Sequence, residues 1–387
     1  MSEIIRFGVI GCGLMGREFA SVVSRWCHLE DVHFKPEIVG VCDTNAEALG
    51  WFDHHLPKLK VKTTNYKELL ESEEIDAIYC AVPHFLHKDI YIDIIKAGKH
   101  LLGEKPFGMN SEDNAEIMKV IRMHPEVIVR CSSEFPFFPG AYQIIKWVNE
   151  NRFGKIIDVE AGFYHSSDLN PNKAINWKRK IETNGEYGCM GDLGLHVVHL
   201  PFRFGWKPNS VRALLSNIVT ERPDKRGDLV PCETWDNAIL ACDVKAEGQK
   251  FPMILSMKRI APGHANTWFI KVRGTVFSAE FSTKNPKQVS YLSYSQGGDQ
   301  AWQIVDVPYK SAYQTITGGI FEFGFSDSIL QMWAAFCDEI IHKDDMKQPL
   351  YCATPSEAEL SHKLFTAALE SNKTSNNILL DTKEVVH

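Results

Sequence analysis

The stretch Phe7-Gly8-Val9-Ile10-Gly11-Cys12-Gly13-Leu14-Met15-Gly16 decides the fold. Four residues of strand character run straight into a glycine turn and then into a helical segment, residues 17–25, the order in which a chain cradles a dinucleotide. Gly11 permits the tight turn, Gly13 carries no side chain to obstruct a pyrophosphate, and Gly16 lets the helix lie close to the strand. Leu14 and Met15 complete the cradle. Free N–H groups at the helix start would meet the phosphates, where the helix dipole favours negative charge.

A glycine turn alone is weak evidence, so the neighbouring pattern must carry the reading. A second apolar run, Ile38-Val39-Gly40-Val41-Cys42, ends in Asp43, 27 residues after Gly16. The usual interval is about 20, and a longer loop around residues 26–36 accounts for the excess. A carboxylate at that strand tip accepts from both ribose hydroxyls and repels a 2′-phosphate. Thr44 and Asn45 follow, with no Arg or Lys to grip a phosphate, so the cofactor is expected to be NAD and not NADP.

The chain has 387 residues, 44% of them apolar and 24% charged, which is ordinary globular composition and more than one core usually supports. No apolar stretch reaches the roughly 20 residues that span a membrane, and no leader with a cleavage site is legible, so a cytoplasmic protein is expected. A net charge of −7 gives no electrostatic reason to expect nucleic acid or an anionic membrane as partner. The ten cysteines are scattered without C-x-x-C or zinc spacing; they read as reduced, buried thiols, and no metal site is expected.

Short β-branched runs alternate with helical stretches up to about residue 130, which predicts an N-terminal doubly wound parallel sheet as residues 1–130. Residues 75–82 and 100–103 read as strands, with a helix at 88–97 between them. From residue 131 to 387 a second α/β domain is expected, built on a large, mainly antiparallel open sheet, because strands at 211–219, 235–243, 251–259, 268–272, 278–281 and 289–293 follow one another without helices. Such a sheet can use one face for subunit pairing. Residues 326–342 and 356–371 read as amphipathic helices that cap the structure or fold back on the first domain.

Two further motifs carry chemistry. Glu104-Lys105-Pro106 follows the strand at 100–103, so Lys105 stands at the carboxyl edge of the sheet, where open α/β folds bind ligands. A lysine there, partly desolvated, can accept a proton or anchor an oxygen, although a Lys before Pro is more often a surface residue. The second motif is Gly191-Asp192-Leu193-Gly194-Leu195-His196. If a helix starts at Gly191 or Asp192, then Asp192 and His196 share one face, and the carboxylate can fix the imidazole as a general base. A helix-terminal aspartate with a core histidine is the bland alternative.

Taken together, these residues resemble the Gfo/Idh/MocA family, the glucose–fructose oxidoreductase and inositol dehydrogenase group. The resemblance rests on the G-x-G-x-x-G start, the loop Val82-Pro83-His84-Phe85-Leu86-His87, Glu104-Lys105-Pro106, Trp177-Lys178 where the family has Trp-Arg, and the Asp192 to His196 segment. It implies a Rossmann domain, a second domain whose open sheet makes dimer or tetramer contacts, and NAD(P)-linked chemistry on a sugar or polyol. It implies Lys105, Asp192 and His196 as catalytic set. Val82, Pro83, His84, His87, Glu104 and Lys105 join Gly11, Gly13, Leu14, Met15, Gly16, Asp43 and Thr44 at the cofactor. His199, which stands where relatives carry Asp, is placed with Tyr164, His165, Trp177 and Lys105 at the substrate.

The run at residues 132–139 lacks the family's Arg, and Glu186, Tyr187, Cys189 and Met190 interrupt the glycine-rich run before Asp192, so inositol or free aldose specificity does not carry over. Phe163 and Trp235 are further aromatic candidates, and aromatic faces stack on pyranose rings. The reaction expected is oxidation of a secondary ring hydroxyl of a sugar or glycoside, with C3 of a glucoside the favoured position. Two alternatives stay open: a glycosidase that retains NAD and cycles it, and a non-catalytic dinucleotide-binding regulator.

Overall fold

A computed structural model describes residues 3–56, 58–346 and 350–380. The described chain forms two compact units. One comprises residues up to Gly108, Glu112–Phe137 and Ser311–Pro355; the other comprises Met109–Ser111, Phe138–Lys310 and residues from Ser356 on. This division differs from a single cut at 130/131, because a late segment of the chain returns to the first unit.

The first unit is built on six parallel strands: β1 (Glu3–Ile10), β2 (Phe34–Cys42), β3 (Val61–Thr63), β4 (Ala77–Cys80), β5 (His100–Gly103) and β6 (Val129–Cys131), in the order β3-β2-β1-β4-β5-β6. Helices α1 (Leu14–Ser24), α2 (Ala46–His55), α3 (Lys67–Glu71), α4 (His87–Lys96) and α5 (Ser111–Met123) supply the crossovers. Both faces of the sheet are covered, so Phe7, Val9, Ala77 and Ile78 are fully buried, and the central strands read as unbroken apolar runs. The strand order reverses between β1 and β4, and the crevice at their carboxyl ends is where such sheets bind ligands.

The second unit contains α6 (Pro139–Asn149), β7 (Ile156–His165), α7 (Ile181–Asn184), α8 (Cys189–Arg203), β8 (Pro208–Ser216), the ribbon of β9 (Glu221–Pro223) and β10 (Leu229–Pro231), β11 (Asn237–Ala246), β12 (Gln249–Lys258), β13 (Asn266–Gly274), β14 (Phe277–Ser282), β15 (Gln288–Ser293) and β16 (Gln303–Asp306). Then α9 (Phe325–His342) belongs to the first unit, and α10 (Pro355–Thr374) and β17 (Ile378–Leu379) to the second. The reason for α9 is packing: Trp333 is fully buried with its ring 4.8 Å from Phe7, Arg25 pairs with Asp327 at 2.7 Å, and Ser326 donates to Glu18 at 2.5 Å.

The nine-stranded sheet runs β16-β15-β14-β13-β7-β12-β11-β8-β17, antiparallel except for the β7–β12 pair. One face buries Phe163, Met257, Leu240 and Trp268 beneath α8. The other leaves Leu214, Ile239 and Ile254 exposed, which register places on one surface with Tyr164 and Ser256. No helix among the described residues is long and apolar enough to cross a membrane.

Candidate active site

The cradle of the first unit is shaped by what its glycines permit. Gly11 has φ +98°, the left-handed region, and a Cβ there would overlap the Ala81 carbonyl oxygen. Gly13 differs: a Cβ would meet nothing within 4 Å, so the space beside it is open for a ligand. Gly13 is also the N-cap of α1, which has no side-chain cap, so the first N–H groups of the helix face that space unsatisfied by a cap. Leu14 is 82% exposed at the rim, Met15 is half-buried, and Gly16 is buried against the turn.

Asp43 sits half-buried at the end of β2. Its Oδ2 accepts from the Cys12 N–H at 2.7 Å and its Oδ1 from the Asn45 N–H at 2.8 Å, so the carboxylate ties the glycine turn to the second strand. Thr44 is exposed beside it, and Asn45 caps α2 by accepting from Glu47 N–H at 3.1 Å. These features fit a dinucleotide: an open cradle at Gly13, uncapped helix N–H groups, and a carboxylate at ribose position.

Val82 and Pro83 are half-buried on the loop after β4, but His84 and His87 turn inward, 3% and 0% exposed. His87 lies with Nδ1 2.5 Å from the Pro106 carbonyl and Nε2 2.9 Å from the Val82 carbonyl. Burial pushes its pKa down to about 4, so the ring is neutral and donates to one carbonyl at a time. His87 is therefore corrected from a cofactor contact to a brace that ties the Val82 loop to the Lys105-Pro106 turn. Glu104 is likewise turned inward: Tyr79 donates to its Oε1 at 2.8 Å, and Tyr91 donates to its backbone oxygen at 2.6 Å.

Lys105 stands half-buried on this braced turn. Nothing in the sequence marked its companion. Glu134 is buried, and burial, reinforced by the charge of Glu104 and opposed by Lys105, pushes its carboxyl up to about 7.

In the second unit α8 begins at Cys189, two residues earlier than the motif suggested, and carries Asp192 in its first turn and His196 one turn later, 4% and 5% exposed. Asp192 Oδ1 accepts from Lys178 Nζ at 2.8 Å, and its Oδ2 accepts from Arg259 Nη1. Neither cation was foreseen as its partner. The His196 carbonyl accepts from Trp268 Nε1 at 2.7 Å, and its ring meets Phe163 edge-on at 5.6 Å. Trp177 is half-buried beside Lys178, whose ammonium lies 5.5 Å from the indole centroid.

Strand parity separates the substrate candidates. His165 shares a face of β7 with Phe163, their rings 4.7 Å apart, and so belongs on the α8 side. Tyr164 points the other way, to the open face, where its hydroxyl meets Ser256 Oγ at 2.8 Å and its ring packs on Phe269. Tyr164, expected at the substrate, therefore lies on the face of the sheet opposite His196. His199 is corrected too: it is fully enclosed, 3.5 Å from Glu357 of α10, and burial holds it well below its usual pKa. Trp235 is adjacent to the start of α8 through its carbonyl, which accepts from Cys189 N–H at 2.9 Å.

Among the described residues no group of three or more His, Cys, Asp or Glu could hold a metal ion. None of the ten cysteines is in a disulfide, and of the ten only Cys27 is exposed.

The oxidoreductase family described by an NAD-binding Rossmann fold matches residues 5–131. The chain is 30% identical over 310 residues to an oxidoreductase of uncharacterized activity from Synechocystis sp., covering 79% of this chain and 78% of that protein. It is 28% identical to glucose-6-phosphate 3-dehydrogenase of Bacillus subtilis, over 57% of this chain and 60% of that protein. Among solved structures, levoglucosan dehydrogenase in complex with NADH and L-sorbose superposes with a TM-score of 0.86 at 18% identity, covering 98% of this chain and 100% of that one.

Proposed function

Because the chain belongs to the Gfo/Idh/MocA family of oxidoreductases, we propose that it is an NAD-dependent dehydrogenase that oxidises a secondary ring hydroxyl of a sugar or glycoside, at C3 of a glucoside. One observation carries the reading: a carboxylate held between two cations, Lys178 and Arg259, one helical turn before a buried imidazole. A fixed carboxylate one helical turn from an imidazole suits proton transfer, and a module that only bound dinucleotide would have no need of it. The likeness to glucose-6-phosphate 3-dehydrogenase supports the ring position.

Gly11, Gly13, Leu14, Met15 and Gly16 would hold the pyrophosphate, and Asp43 with Thr44 the ribose. NAD, when bound, supplies the hydride acceptor. The residues do the rest. His196 takes the proton of the substrate hydroxyl, and Asp192 stabilises the imidazolium that results. Lys105 holds the same oxygen and steadies its developing negative charge. Trp177 and His165 are the side chains proposed to contact the sugar.

The exposed apolar residues Leu214, Ile239 and Ile254 on one sheet face support a homo-oligomer, dimer or tetramer. Ten cysteines without a disulfide, nine of them buried, support a reducing, cytoplasmic compartment. Deoxy sugars test the position of attack. A 4-deoxy glucoside should still reduce NAD and a 3-deoxy glucoside should not; reduction by the 3-deoxy compound would overturn the assignment to C3.

A further inference from the structure

Asp192 and Asp168 compete for one buried guanidinium. Arg259, just after β12, donates from Nε to Asp168 Oδ2 at 2.9 Å and from Nη1 to Asp192 Oδ2, and all three side chains are at most 6% exposed. Asp168, in the loop after β7, also holds Lys173 at 3.4 Å and is near Arg222, which donates to the Asp168 carbonyl. The loop is tied down further by Arg222, which donates to the carbonyl oxygens of Asn170 and Lys173 at 2.7 and 3.2 Å.

We propose that Arg259 is a positioning residue that keeps Asp192 ionised and aimed, and that Asp168 sets how much of the Arg259 charge Asp192 receives. The proposal rests on the dehydrogenase reading for its functional meaning and on geometry for its substance. A buried carboxylate without a partner takes up a proton, because desolvation disfavours the charged form. Asp192 avoids this by presenting each oxygen to a cation, Oδ1 to the half-exposed Lys178 and Oδ2 to the buried Arg259. The Lys178 contact competes with water and salt, whereas that of Arg259 does not. Arg259 therefore supplies the greater part of the bias. Arg259 is itself held twice over, by Asp168 and through its backbone N–H, which donates to the Asp236 carbonyl at 2.9 Å.

Other charges face this group from every side. Arg179 pairs with Asp236 at 3.5 Å behind Cys189, and His196 lies one turn along α8. Removing Asp168 would leave the guanidinium charge to Asp192 alone. Two neighbouring substitutions should thus act in opposite directions, which loss of packing would not produce.

The test is the carbon-13 carboxyl resonance of Asp192 in aspartate-labelled protein, assigned by its disappearance in Asp192→Asn, followed against pH together with the pH profile of kcat/KM. In Arg259→Met the midpoint of Asp192 should rise by about one to three pH units, the usual effect of one adjacent opposite charge, and the acidic limb of kcat/KM should move up with it. Arg259→Lys should restore most of the shift. In Asp168→Asn, which leaves every cation in place, the midpoint should fall. An unmoved midpoint in folded Arg259→Met overturns the proposal, as does a midpoint that stays or rises in Asp168→Asn, and the second variant decides the matter if the first does not fold. The resonance reports on Asp192 whether or not the protein turns over a sugar. A shifted midpoint in a protein inactive on all sugars would therefore uphold the positioning role while defeating the dehydrogenase reading.

Discussion

Phe163 and Tyr164 are neighbours in β7 and serve opposite sides of the nine-stranded sheet: Phe163 meets the His196 ring edge-on at 5.6 Å, while the Tyr164 hydroxyl lies 2.8 Å from Ser256 Oγ on the open face. Pleating decides this, since successive side chains of a strand alternate between faces. Tyr164→Phe should leave kcat/KM unchanged. A loss on the order of tenfold in every assembly state would place Tyr164 at the substrate after all.

His196→Ala should retain cofactor binding and lose turnover by roughly 10²–10⁴-fold, the usual weight of general acid–base catalysis. Binding followed by quenching of tryptophan fluorescence and turnover followed by nicotinamide absorbance separate the two effects. Turnover equal to that of the parent protein would remove His196 from its role.

Two glycines of one turn should respond differently to an added side chain. Gly13→Val places its side chain in open space and should leave the melting temperature close to that of the parent while weakening NAD binding. Gly11→Ala forces a side chain at φ +98° against the Ala81 carbonyl and should lower the melting temperature itself. Calorimetry with and without NAD distinguishes them; full NAD affinity in Gly13→Val would move the pyrophosphate elsewhere.

Glu134 makes stability depend on pH in a direction opposite to that of a salt-bridged acid. Burial raises its folded pKa from 4.5 to about 7, so below pH 4.5 the group is protonated in both states and exacts nothing. Between pH 4.5 and 7 the folded state alone holds the proton, and this group's contribution falls as pH rises, with the full penalty present above pH 7. Glu134→Gln should therefore gain stability relative to the parent across that window and hold a constant advantage beyond it. Denaturant titrations at several pH values measure the difference, and a difference independent of pH would show that Glu134 is not the titrating group.

The six-stranded sheet was legible because its signals are local: an apolar run, a glycine turn and an acid at the next strand tip each declare themselves within a few residues. The antiparallel sheet was legible by the same means, although its short edge strand β16 and the β9–β10 ribbon were not. The partners of Asp192 were out of reach. Lys178 precedes it by 14 residues and Arg259 follows by 67, and only the folding of β7 and β12 under α8 brings both cations to one carboxylate. The return of α9 to the first unit was one of the two placements read for residues 326–342, and its apolar face did not by composition decide between them. Tyr164 and His165 are adjacent in β7, a strand the sequence analysis did not name, and pleating turns them to opposite faces. His199 lies three residues from His196 on the same helix, which puts the two near one face, but the covering by Glu357 of α10 is a tertiary fact.

The most direct test of the central claim is absorbance of reduced nicotinamide after mixing the protein with NAD and, in separate reactions, glucose, inositols, aryl glucosides and a C-glucoside, with aglycone release followed alongside. Reduced nicotinamide should accumulate with glucosides, with no dependence of that signal on aglycone release. Aglycone release without net reduction would contradict it in favour of a redox-cycling glycosidase, and silence on both with NAD bound would reduce the protein to a dinucleotide-binding module.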